Sequence, residues 1–263
     1  MRIALGLEYD GAAFCGWQTQ PGRCAVQDAL ETALAAIAGH PVDTVCAGRT
    51  DAGVHGACQV VHFDTSSSRP LSAWTRGANT HLPPSVSVLW ARQVSEDFHA
   101  RFSARTRTYR YLLLARGVRP GLDRGRVGWT HWPLDPAAMA EGAAHLVGEH
   151  DFSAFRAAEC QAASPVRQLS RLDVQERAGL IAFDLTANAF LQHMVRNIVG
   201  CLVEVGAGRQ PPDWVASVLA GRDRRLAAPT FAADGLYLCE VDYDAGHDLP
   251  RLARWPGPFP SPT

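Results

Sequence analysis

The sequence predicts an α+β fold of two halves with mostly antiparallel sheets joined around a central cleft. Three observations predict it. Apolar residues alternate with period two in several short runs and recur at helical spacing in others. The order of those runs is strand, helix, strand, strand, helix, strand in residues 1–104 and again in 105–245. That order is the split βαβ, or ferredoxin-like, arrangement. The Arg-rich link at 101–105 is too tight for a flexible linker, so the two sheets are expected to join or abut.

The elements follow in order. Ile3, Leu5, Leu7 and Tyr9 alternate with small or polar residues, which predicts a half-buried strand over 2–9 and not a signal peptide. Val26, Ala29, Leu30, Ala33, Leu34 and Ile37 share one face of a helix over 26–38, with Gly39 as its stop. Strands are expected at 43–47 and 57–63, a helix at 70–81 behind Pro70, and a strand at 86–94. The second half reads as a strand at 106–114 and a helix at 136–147, with Asp135 as N-cap and Pro136 in its first turn. Strands at 168–176 and 180–187 come next, then a long helix at 189–205, a short one at 212–220 and a strand at 236–243. Residues 246–263 hold five prolines and no periodic pattern, so an irregular tail is expected.

With 263 residues and 47% hydrophobic content the chain can bury a sizeable core. No apolar run approaches the ~20 residues of a membrane span, and a cytoplasmic protein is expected. The seven cysteines are scattered, without CxxC, and are expected to be reduced. Ten dispersed histidines without HExxH argue against zinc. There is no GxGxxG after a strand and no GxxxxGK[ST], so no nucleotide cofactor is indicated.

All 25 basic residues are arginine. Eight of them, with only Asp123 against them, lie between Arg101 and Arg126, giving +7 locally in a chain of formal charge −1. Such a stripe is either an electrostatic footprint for a polyanion or a solvated face. In TRTYRYLLLA, period two puts Arg107, Tyr109, Tyr111 and Leu113 on one face. Arginine with interleaved aromatics suits phosphates and stacked bases, and equally an ordinary amphipathic strand.

The most concentrated stretch is CAGRTDAGVHG, 46–56, between two predicted strands. A plain turn needs one Asp or Asn and one Gly. This one adds Arg49, His55 and two further glycines. Asp51 is either a turn residue capping a backbone N–H or a carboxylate nucleophile or base projected by a rigid strand pair. Arg196 lies off the apolar stripe of its helix, as a solvated side chain or as a partner for a distant carboxylate.

Taken together, EYDGAAFCGWQ (8–18), AVQDALETAL (25–34), CAGRTDAGVHGACQVVHF (46–63), DFHARFSARTRTYRYLLL (97–114), ANAFLQHMVRNIVG (187–200) and APTFAADGLYLCEVDY (228–243) resemble the TruA-type tRNA pseudouridine synthases, in that family's order. GRTDAGVH is the most specific piece. The resemblance implies isomerisation of uridine to pseudouridine at positions 38, 39 and 40 of the tRNA anticodon arm, by a homodimer, with no metal or cofactor. It implies Asp51 as the catalytic aspartate and Tyr109 as the active-site tyrosine. Arg196 would pair with that aspartate, and Arg49 would support the displaced nucleotide. The stripe residues Arg101, Arg105, Arg107 and Arg110 are then expected to bind RNA. Ala25 stands where the family often has Ser or Thr, and Cys58 near where Gly is common. Two alternatives belong to other classes: a catalytically silent RNA-binding protein of the same fold, and a nucleoside or glycoside hydrolase. The hydrolase would need a second acid as proton donor, and the motif loops hold none.

Overall fold

A computed structural model describes residues 1–251 and 254–262. In chain order the elements are β1 (Arg2–Tyr9), α1 (Val26–Ala38), β2 (Val45–Cys46), β3 (His55–Asp64), β4 (Val86–Val94), β5 (Ala104–Ala115), β6 (Gly128–Thr130), α2 (Pro136–Ala144), β7 (Gly148–Asp151), β8 (Val166–Arg177), β9 (Leu180–Ala187), α3 (Met194–Gly206), α4 (Trp214–Gly221) and β10 (Leu236–Tyr243). The α+β class and the mostly antiparallel pairing are as the sequence predicts. The chain divides into two compact units, Met1–Arg105 with Tyr237–Arg254, and Thr106–Leu236 with Trp255–Thr263.

In the first unit β1 lies between β4 and β3, antiparallel to both. β2 pairs with β3 at Val45↔His62, and β10 runs parallel to β3 over Tyr237↔His55 and Leu238↔Gly56. Ile3, Leu5 and Leu7 of β1, Leu30 and Leu34 of α1, Phe63 of β3 and Trp74 form the core. α1 starts without a side-chain N-cap, because Ala25 has no oxygen to offer. Asp28 Oδ2 instead accepts from Ala25 N–H at 3.0 Å. Gly39 ends the helix at φ 76°, the left-handed C-cap its sequence position predicts. Residues 71–79 are helical, with a π turn at Ala73–Gly77 that the periodicity does not show.

In the second unit the antiparallel order is β5-β9-β8-β7, with β6 parallel to the end of β5. Asp135 Oδ1 accepts from Ala137 and Ala138 N–H, capping α2 as expected. Two helix boundaries differ from the sequence reading by three residues or more. α2 stops at Ala144, and Gly148, at φ 127°, opens the unpredicted strand β7. α3 starts at Met194 and not at 189, because residues 188–192 bond elsewhere. Asn188 Oδ1 accepts from Gln168 and Ala189 N–H, and Gln192 O accepts from Ala157 N–H. The last described residues are not loose. Pro256 and Pro260 carbonyls accept from Arg110, and Pro258 O accepts from Arg177.

Candidate active site

The loop from Ala47 to Val54 connects β2 and β3, whose pairing fixes both its ends. Ala47 N–H donates to Val60 O at 2.8 Å. Val54 N–H donates to Asp51 O at 3.1 Å, closing a turn through Gly53, whose φ of 81° suits glycine. Trp17 N–H donates to Thr50 O at 2.9 Å. Gly16, at φ 100°, lies against the same backbone: a Cβ there would sit 2.9 Å from Thr50 O. The loop is therefore held by the 11–24 segment as well as by the strands. Within it Thr50 is buried, Asp51 half-buried and Arg49 exposed. A carboxylate that reaches solvent from an ordered backbone can act as a nucleophile or a base.

His55 follows the loop and is buried. Its Nδ1 accepts from Gly11 N–H at 3.1 Å, and its ring stacks on Tyr237 with centroids 4.5 Å apart. That geometry gives it a structural position at the root of the loop.

The other expected site residues lie on the second unit. Tyr109 stands on β5 opposite Leu185 of β9. It is 8% exposed, its ring edge-on to Phe190 at 5.0 Å. Arg196, in the first turn of α3, is half-buried. Its Nε donates to Phe231 O at 2.8 Å, and its own carbonyl accepts from Phe231 N–H at 3.2 Å.

The arginine stripe splits. Arg101 is exposed, with its guanidinium over the ring of Phe102, itself 76% exposed. The Arg105 side chain is 63% exposed and pairs with Asp244 at 3.3 Å. Arg107 is buried, with Nη1 donating to Asn188 O at 2.9 Å. Arg110 corrects the expectation outright. It is fully buried, paired with Asp184 and capped by tail carbonyls, so it is a structural cation and not a phosphate ligand. Period-two reasoning names the face an arginine occupies; it does not show what covers that face.

The cysteines need a correction too. Cys15 and Cys24 form a disulfide, across Cα atoms 5.5 Å apart, while Cys46, Cys58, Cys160, Cys201 and Cys239 are free. Gln20 O and Arg23 N–H close a turn inside that loop, and Cys24 O accepts from Cys15 N–H, which brings the two together. Among the described residues no group of three or more His, Cys, Asp or Glu could hold a metal ion, and no helix is long and apolar enough to cross a membrane.

Sequence reasoning missed the supports of the loop: Tyr9, Trp17 and Gln59. One signal was there to read. Gln59 is a lone amide in the otherwise apolar run ACQVV, and a polar group buried in a strand must be hydrogen-bonded.

Comparison with known proteins adds to the geometry. The family model described as tRNA pseudouridine synthase matches residues 7–103 and 143–244, which include Arg49, Asp51 and Arg196 but not Tyr109. The tRNA pseudouridine synthase A of Thiobacillus denitrificans is 60% identical over 257 residues, covering 97% of this chain and 99% of that protein. Its counterpart in Dechloromonas aromatica is 60% identical over 250 residues, 95% of each chain. That of Nitrosomonas eutropha is 58% identical over 252 residues, 96% of this chain and 91% of that one. A solved Cbf5-Nop10-Gar1 complex aligns with 90% of this chain and 48% of that chain at 11% identity, with a TM-score of 0.37.

Proposed function

The chain belongs to the tRNA pseudouridine synthase family of isomerases, and from that premise we propose that it converts uridines 38, 39 and 40 of the tRNA anticodon arm to pseudouridine, with Asp51 as nucleophile. The observation that carries this reading is the half-buried carboxylate of Asp51 on a backbone anchored from two directions, by the β2–β3 pair and by Trp17 N–H.

The reaction breaks the C1′–N1 bond, turns the uracil and forms a C1′–C5 bond. C5 gives up its proton and N1 gains one, so the step is an isomerisation that calls for no oxidant and no cofactor. A uridine in a stacked stem must first be flipped out, at a few kcal/mol. Phosphate contacts from the exposed Arg101 and Arg105 supply binding energy to offset that cost. Tyr109 stacks on the turning uracil, Arg49 supports the displaced nucleotide, and Arg196 is the arginine that pairs with the aspartate. The enzyme works as a homodimer in the cytoplasm.

The test is direct. Purified protein is incubated with an unmodified tRNA transcript, and pseudouridine is mapped by position. Pseudouridine at 38, 39 or 40 supports the reading. Binding without any pseudouridine would leave the catalytically silent RNA-binding alternative. Pseudouridine confined to other positions would refute the anticodon-arm assignment.

A further inference from the structure

The fully buried Gln59 lies on β3, facing β1 and the inner side of the 47–54 loop. Its amide makes three contacts. Nε2 donates to Gly48 O at 2.6 Å, Oε1 accepts from Gly48 N–H at 3.4 Å, and Nε2 reaches Tyr9 Oη at 3.4 Å. One side chain thus grips both polar groups of the residue three before Asp51, as a neighbouring strand would. Tyr9 Oη, accepting from Gln59, is left to donate its proton to Thr50 Oγ1 at 2.9 Å. Burial holds the Tyr9 phenol well above its usual pKa, so that proton stays in place across the working range.

The ring that carries this hydroxyl needs room. Tyr9 pairs with Gly56, and a Cβ on Gly56 would stand 2.4 Å from the Tyr9 ring. Thr50 is then held twice, by its hydroxyl to Tyr9 and by its carbonyl to Trp17 N–H. Fixed points at Gly48 and Thr50 leave little freedom in the backbone that aims the next side chain.

We propose that Tyr9 and Gln59 are positioning residues for the reaction: a buried Gln59–Tyr9–Thr50 hydrogen-bond chain that sets the direction of the Asp51 carboxylate. The proposal rests on the reading of Asp51 as nucleophile. Neither residue touches substrate. Each acts through the backbone, and loss of either lets the carboxylate wander from near-attack geometry, where about an ångström is enough to slow a reaction ~100-fold.

The experiment measures single-turnover pseudouridine formation with enzyme in excess, together with tRNA affinity and thermal melting. The variants are Tyr9→Phe, Gln59→Met, Thr50→Val, Thr50→Ser and Asp51→Asn. Tyr9→Phe, Gln59→Met and Thr50→Val should each slow the chemical step at least ~10-fold, with tRNA Kd within about twofold and a folded protein at the assay temperature. Thr50→Ser keeps the oxygen and should retain the rate. Should Gln59→Met fail to fold, Tyr9→Phe decides, since it removes a single oxygen. Inactive Asp51→Asn alongside Tyr9→Phe and Thr50→Val at the wild-type rate overturns the positioning chain and leaves the nucleophile standing. Rate losses matched by equal losses of affinity overturn it as well. An active Asp51→Asn overturns the nucleophile itself, and the chain's role falls with it.

Discussion

Arg110 Nε and Nη2 bind both carboxylate oxygens of Asp184, at 2.7 and 2.8 Å, and both side chains are essentially excluded from solvent. They face each other across β5 and β9, 74 residues apart in sequence. Trp255 and Phe259 of the tail lie 5.1 and 5.6 Å from the guanidinium carbon. Pro256 O and Pro260 O take two more of its five N–H donors, so the tail adds neutral acceptors to the ion pair.

Breaking this pair from one side should be costly. Arg110→Ala leaves a buried carboxylate alone, and Asp184→Leu a buried guanidinium, each a loss of ~3–5 kcal/mol. Melting should fall by roughly 10 °C in either single variant. Arg110→Met with Asp184→Leu removes both charges and should melt above either single. If the double melts at or below the less stable single, the pair is not the source of the loss.

How far the sequence carries can be judged on such residues. The 46–56 loop was legible because its unusual density of Arg, Asp, His and Gly is local, and the end of α1 and the start of α2 because the Gly39 stop and the Asp135 cap lie beside them. The start of α3 was not, since Asn188 and Gln192 bond to partners 20 and more residues away. Arg110 looked like one more member of a basic stripe, and nothing near it in the chain announced Asp184 or the tail. The Cys15–Cys24 bond depends on a turn whose closure cysteine spacing alone does not specify.

The surviving stripe should show in the salt dependence of binding. Arg101→Ala and Arg105→Ala should each weaken tRNA binding and flatten the slope of log affinity against log salt, by ~0.7–0.9 for every phosphate left without its arginine. An unchanged slope in the double variant would mean that these arginines face solvent without touching RNA.

The disulfide can be counted. Alkylation of the denatured, unreduced protein should modify five thiols, and seven after reduction. Closing so short a loop is worth ~2–3 kcal/mol by chain entropy, so reductant should lower the melting temperature. Seven reactive thiols without reductant would contradict the bond.

Acid should weaken the fold partly through His62. Its Nδ1 accepts from Ala100 N–H at 3.1 Å, and burial, with Arg2 and His99 nearby, pushes the imidazole down to about 4. The unfolded chain takes up that proton near pH 6.5, the native state only near 4. Stability from this group is therefore whole above about pH 6.5 and is lost as the pH falls toward 4, by ~1–2 kcal/mol after screening. Denaturant melts at pH 7 and pH 4.5 should show a smaller difference for His62→Gln than for the wild type. An equal difference would place the acid sensitivity elsewhere.

The central claim is that Asp51 carries the chemistry, and the most direct measurement is single-turnover pseudouridine formation by Asp51→Asn with enzyme in excess over tRNA. The amide keeps the shape of the side chain and loses its charge and basicity. Binding energy from the arginines does not replace a missing nucleophile. The variant should fold, bind tRNA at least as tightly as the wild type, and form no pseudouridine; a rate within tenfold of wild type would mean that another residue performs the reaction and that the 46–56 loop is only a turn.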